Sequence, residues 1–182
     1  MKKAILIFHF IFLQNFIFSQ KMMTRNGEIK FEASMPAIEE VAAVCKTASC
    51  ILDLSNGDFA ALALVKTFKF KAPLMEEHFN ENYIESSKFP KTTFKGKILN
   101  FDSSKLSTIK STYDLEGELS IHGITKKIKT KISLVLISNK LTLISNFIIK
   151  PFDYEIEIPS IVKNKISENV KLSINFVLET KQ

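Results

Sequence analysis

Few residues in this chain have the chemistry for catalysis. Glu77, His78 and Glu81 fall within five positions, and on a helix residues i and i+4 share a face. Two carboxylates beside an imidazole are the raw material of a metal site or a general acid–base pair. A metal, however, needs at least three convergent ligands, and adjacent helix positions point apart. A solvated helix face is the simpler reading. His122 stands in Ile121-His122-Gly123-Ile124-Thr125-Lys126, a turn between two strongly alternating segments. A histidine there more often bonds the backbone than acts as a base. Neither a Gly-x-Ser-x-Gly elbow nor a phosphate-cradling glycine loop is present, and no paired-histidine motif occurs. The residues therefore name no catalytic group, no metal-ligand set and no cofactor, and the expectation is a non-enzymatic protein.

Cys45 and Cys50 are the remaining reactive side chains. A hairpin turn over the four residues between them would set them opposite each other and allow a local disulfide, which an exported location would permit. Two cysteines exclude a disulfide scaffold and a multi-thiolate zinc site.

The elements that would carry these residues are mostly strands. Within 28–33, Ile29, Phe31 and Ala33 share one face, and an apolar strand at 59–65 follows the hairpin signal Asn56-Gly57. Segment 67–71 sets Phe68 and Phe70 against Lys69 and Lys71. Period-two patterns continue at 92–101 (Phe94, Gly96, Ile98), 115–121 (Leu115, Gly117, Leu119, Ile121) and 128–136 (Ile128, Thr130, Ile132, Leu134, Leu136). Further strands are expected at 141–149, 152–158 and 170–178, the last carrying Phe176. One segment departs from the pattern. After Pro73, the residues Met75, Phe79 and Tyr83 recur every four positions, which predicts a short helix over 73–84. The fold class is thus all-β, with antiparallel pairing, one apolar and one wet face per strand, and a single helix. A two-sheet sandwich and an eight-stranded barrel compete. Long strands and a lid-like helix favour the barrel.

With 182 residues and 46% hydrophobic composition, the chain fits one domain. Residues 1–19 read as a signal peptide. Lys2 and Lys3 precede an apolar run from Ala4 to Phe18, broken by His9, Gln14 and Asn15 and too short to span a bilayer. Cleavage after Ser19 would leave Gln20 first, with no permanent membrane anchor. The formal charge of +6 invites a nucleic-acid reading, but Arg25 is the only arginine among 25 basic residues. Lysines on strands are commonly solubility devices, whereas arginine supplies the fork that reads bases and phosphates. Nucleic acid is not an expected partner.

Several motifs carry a family resemblance. Phe68-Lys69-Phe70 is followed by Leu74-Met75-Glu76-Glu77-His78-Phe79-Asn80-Glu81-Asn82-Tyr83 and by Lys88-Phe89-Pro90-Lys91-Thr92-Thr93-Phe94-Lys95-Gly96. These, with the stretch Leu115 to Lys126 containing His122-Gly123-Ile124-Thr125, resemble the YceI family over residues 22–180. Where many members carry Arg-x-Asp-Phe-Gly, this chain has Lys150-Pro151-Phe152-Asp153-Tyr154. The resemblance implies an extended, lipocalin-like antiparallel barrel, exported to the periplasm, holding a long lipid or isoprenoid chain in its lumen. Quinone-like ligands fall within that class, and a homodimer is a further partner expectation. The alternative is a structural barrel filled by its own side chains.

In a barrel the apolar faces converge on one interior. The expected lining is Phe68, Phe70, Phe94, Ile98, Leu119, Ile132, Leu134 and Phe176, with Met75, Phe79 and Tyr83 capping one end. Such walls suit a hydrocarbon chain better than a polar metabolite.

Overall fold

A strand with one apolar face has to cover it, and eight strands do so here by closing on themselves. The computed structural model describes residues 21–35 and 40–180. The expected signal segment and its cleavage point lie outside the described residues. The strands are β1 (Lys21–Ser34), β2 (Ala42–Asp53), β3 (Asp58–Leu64), β4 (Lys69–Phe70), β5 (Lys91–Ile98), β6 (Ser111–Ile121), β7 (Ile124–Ile137), β8 (Lys140–Ile149) and β9 (Ile166–Thr180). All pairings are antiparallel, and the order β1-β9-β8-β7-β6-β5-β3-β2 is closed by β1 pairing with β2. The two-residue β4 continues where β3 leaves off, beside Ala43 and Val44 of β2.

Turn chemistry sets the register. His122 (φ 51°) and Gly123 (φ 77°) form the two-residue link between paired Ile121 and Ile124, and Ser138 and Asn139 do the same between β7 and β8. Two left-handed residues give a turn whose twist matches that of the strands. A Cβ on Gly123 would meet the Phe89 ring at 2.6 Å, so glycine is required there for space as well as for φ. The expected Asn56-Gly57 turn joins β2 to β3, the Gly57 N–H donating to the Asp53 carbonyl at 2.9 Å. On the outer face lysines pair across strands, Lys129 with Glu116 and Lys131 with Asp114. These exposed pairs are worth little individually and keep the outside wet.

The structure corrects three sequence readings. First, no hairpin separates Cys45 from Cys50; both lie on β2, which is one continuous strand. At about 3.3 Å per residue they are roughly 16 Å apart, far beyond the ~7 Å Cα limit of a disulfide. Both thiols are free and buried. Residues five apart should face opposite ways, yet both point inward. A bulge explains this: three steps from Ala48 to Cys45 face two steps from Gly27 to Ile29 on β1. The bulge also hid β2 from a period-two reading. Thr67 Oγ1 donates to the Leu64 carbonyl at 2.7 Å, leaving the Cys45 thiol to donate to Thr67 Oγ1 at 3.1 Å.

Second, segment 152–158 is not a strand. Pro151–Tyr154 forms one 3₁₀ turn, ended by Glu155 at φ 54°, and another 3₁₀ turn spans Ser160–Val162. Pro151 supplies a preset φ and no N–H for a ladder. The apolar alternation there reflects Tyr154 and Ile156 reaching into the core from an irregular connection. Third, the helix splits: α1 (Pro73–His78) is followed by a π-helical turn over Phe79–Tyr83.

One end of the barrel is solid. Leu52, Ile98, Leu134, Leu141, Leu143 and Leu178 are each at most 1% exposed. There Leu134 pairs with Leu143 and Leu141 with Leu178.

Two expectations follow. Leu134→Ala should lower stability by about 2–5 kcal/mol in urea unfolding with an unchanged m-value; a loss under about 1 kcal/mol would mean this end is loosely packed. A thiol reagent should find no reactive cysteine in the folded, unreduced protein and two after unfolding, because burial covers both and pushes the Cys50 thiol well up. No thiol in unfolded, unreduced protein would restore the disulfide.

Candidate functional site

The other end of the barrel is hollow. A cavity of about 470 Å³ opens where β1, β3, β6 and β8 end and β2, β5, β7 and β9 begin. Its wall is built from the inward positions of the strands: Ile29 and Phe31 on β1, Ala61 and Ala63 on β3, Leu119 and Ile121 on β6, Ile128 and Ile132 on β7, Phe147 and Ile149 on β8, Leu172 and Ile174 on β9. Two of the wall's hydroxyls are committed to backbone carbonyls. Thr92 Oγ1 donates to the Ser120 carbonyl at 2.9 Å, and Ser145 Oγ to the Lys131 carbonyl at 2.7 Å. A ligand in this space meets almost nothing but hydrocarbon. Volume and lining are those of a small-molecule pocket, without the convergent polar groups that a compact polar ligand requires.

The floor is aromatic. Phe94 stands 5.7 Å from Phe59, and Phe59 6.5 Å from Phe176, ring centre to ring centre. All three line the cavity, while Ile98, Leu134, Leu141 and Leu143 beneath them do not.

The helical segment forms one side of the mouth. Phe79 stacks on Phe31 at 5.2 Å and contacts Phe70 at 5.1 Å and Phe68 at 6.2 Å. Met75 and Tyr83 from the same segment also line the opening, and burial raises the Tyr83 phenol pKa. Glu76 holds the segment to β4: its carboxylate accepts from Lys69 Nζ at 2.5 Å and from the Phe70 N–H at 3.3 Å. The Lys69 ammonium bonded to it lowers the Glu76 carboxyl pKa. The π turn appears in the Ile84 N–H donating to the Phe79 carbonyl at 2.9 Å, five residues back, and such turns recur at functional sites.

The β8–β9 connection forms the opposite side, with Pro151, Ile156, Ile158 and Val162 facing the cavity. His122 ties the two sides together. Its Nδ1 lies 3.0 Å from the Tyr154 carbonyl and its Nε2 2.9 Å from Glu85 Oε2, with Phe89 edge-on at 4.5 Å. One ring thus joins the β6–β7 turn, the loop after the helix and the β8–β9 connection. The expected backbone bond of His122 is made by Nδ1, while the Nε2 bond to the Glu85 carboxylate lies outside that expectation.

Nine of the eleven residues expected in the lining do line the cavity: Phe68, Phe70, Met75, Phe79, Tyr83, Phe94, Leu119, Ile132 and Phe176. Ile98 and Leu134 do not; they belong to the solid end, 0% and 1% exposed. Alternation tells which way a side chain points and not the height at which the interior stops being filled. Phe31 and Phe59 follow the same alternation, so the sequence marks them equally well. Pro151, Ile156 and Val162 come from irregular backbone that no periodicity reveals. His78 is exposed and lines the rim, as does Lys165 across from the helix. Among the described residues no group of three or more His, Cys, Asp or Glu side chains is placed to hold a metal.

Comparison with solved structures finds the same architecture at low identity. A polyisoprenoid binding domain from Saccharophagus degradans, implicated in plant cell wall breakdown, superposes with a TM-score of 0.76 at 14% identity, covering 89% of this chain and 99% of that one. BcnA of Burkholderia cenocepacia gives 0.68 at 14% identity, with 84% and 96% covered. A Campylobacter jejuni YceI protein gives 0.66 at 17%, with 81% and 90% covered. Comparison with curated proteins finds no match. The model of the YceI-like domain matches residues 18–178, nearly the whole chain, and the protein belongs to that family.

Proposed function

We propose that the protein is a non-catalytic binding protein that holds the apolar chain of a lipid or isoprenoid, quinone-like molecules included, in the open half of the barrel. The observation that carries this reading is the cavity of about 470 Å³ with a wall of Phe, Ile, Leu, Val and Ala. Its likeness to a polyisoprenoid binding domain supports the same ligand class. Each buried methylene is worth roughly 0.8 kcal/mol, so about ten would contribute some 8 kcal/mol before the costs of association and ordering. A chain of that length inside, with its polar head among His78, Lys165 and water at the rim, fits the distribution of apolar and polar groups. Lys2, Lys3 and the apolar run up to Phe18 support export to the periplasm, where an apolar molecule crossing between membranes needs a carrier.

The alternative, a barrel filled by its own side chains, describes the solid end only. The test is organic extraction of protein exported by its host and purified without detergent, read by mass spectrometry beside the Ala61→Trp variant. Ala61 lines the cavity on β3, and a tryptophan there would occupy ligand space without entering the packed end. The wild type should yield a chain-bearing lipid at close to one equivalent. Ala61→Trp, folded by circular dichroism, should retain about tenfold less, equivalent to ~1.4 kcal/mol. Equal retention by both proteins would place the ligand elsewhere, and no lipid from the wild type would favour the structural reading.

A further inference from the structure

The three floor phenylalanines are not held alike, and the difference lies in the backbone beneath them. Gly96 on β5 pairs directly with Gly117 on β6, and the Phe94 ring lies across both. A Cβ on Gly117 would fall 2.5 Å from Phe94 Cζ, and one on Gly96 2.8 Å from it. Phe176 is seated in the same way on Gly27 of β1, whose Cβ would fall 2.2 Å from Phe176 Cδ1. Each ring therefore occupies the space that a neighbouring side chain would otherwise take, lying against bare backbone. Phe59 fills the gap between them. Leucines no more than 1% exposed lie below, so the rings have no room to swing downward.

We propose that Phe94 and Phe176, seated on glycine backbone, are a chain-length ruler: a fixed floor that sets the longest hydrocarbon the cavity accepts. This deepens the lipid-binding reading above and rests on it. On β6 the cavity wall runs from Ile121 near the mouth to Leu115 at the floor. The six steps from residue 121 to residue 115 cover about 20 Å of strand, or about 15 Å of depth once the usual barrel tilt is included. The strands continue below that level, but the space between them is filled. A chain longer than this depth gains no further burial inside, and its excess must fold back or protrude at the mouth, where the transfer gain per methylene is lost. Glycine at three points opposite two rings is the sequence feature that makes such a flat floor: a Cβ at Gly27 would displace Phe176, and one at Gly96 or Gly117 would press on both the Phe94 ring and the backbone of the neighbouring strand.

The test is a calorimetric titration of detergent-free protein with a prenol series: geraniol, farnesol, geranylgeraniol and solanesol. For the wild type, affinity should rise with length and then stop rising at one member. In Phe94→Ala and Phe176→Ala the stopping point should move to the next longer prenol, with about a tenfold gain for that member relative to the wild type. Phe94→Leu and Phe176→Leu, which keep an apolar side chain in the core, should shift in the same direction by less, and they carry the test where an alanine variant does not fold. Two results overturn the ruler while leaving the binding reading intact: a wild-type affinity that climbs through solanesol, or the same stopping point in the folded variants. Absence of prenol binding by the wild type overturns both readings together.

Discussion

The rest of the molecule depends on β1 pairing with β2 on one side and β9 on the other. That double pairing joins the first strand to the last and leaves the main ring without a free edge. Closure fixes the circumference, and a ring of eight strands encloses a space that side chains can just fill. Which part is filled is then decided by side-chain size. At one end Leu and Ile from every side meet and exclude everything else. At the other, small residues such as Ala61, Ala63 and Ala33 keep the wall thin, and the interior stays open.

An open apolar space invites collapse, since its lining lacks contact partners on one side. The rim opposes collapse with polar ties instead of packing. His122 bridges Glu85 and the Tyr154 carbonyl, and Glu76 anchors the helical segment to β4. These bonds span connections that periodicity alone would not organise. They tie the loop after the helix and the β8–β9 connection to the β6–β7 turn, and the helical segment to β4. The aromatic group of Phe31, Phe68, Phe70 and Phe79 then forms one shoulder of the mouth. The histidine thus serves the shape of the opening.

Most of the barrel was legible because solvent imposes alternation on any strand with one wet face. Leu115, Leu119, Ile132 and Phe176 all point inward as their spacing requires. Legibility failed where the physics is non-local. A bulge between Cys45 and Ala48 shifts the phase of β2, and small residues there weaken the contrast between faces. Pro151 and the left-handed Glu155 bend a segment whose composition mimics a strand. Ile98 and Leu134 point inward as expected but lie below the floor, because depth along the barrel depends on which residues from other strands meet there. The apolar character of the walls is legible in the alternation; the height of the floor required three-dimensional contacts between Phe94, Phe176 and the glycines beneath them.

The central claim is a preformed, one-ended apolar cavity. The most direct measurement is a crystal structure, at a resolution that shows ordered lipid, of the exported protein purified without detergent. The account predicts elongated, unbranched or prenyl-like density that enters between the helical segment and the β8–β9 connection and stops at Phe59, Phe94 and Phe176. Density running past those rings into the leucine-filled end would contradict it, as would a cavity closed by inward movement of Phe31 and Phe79.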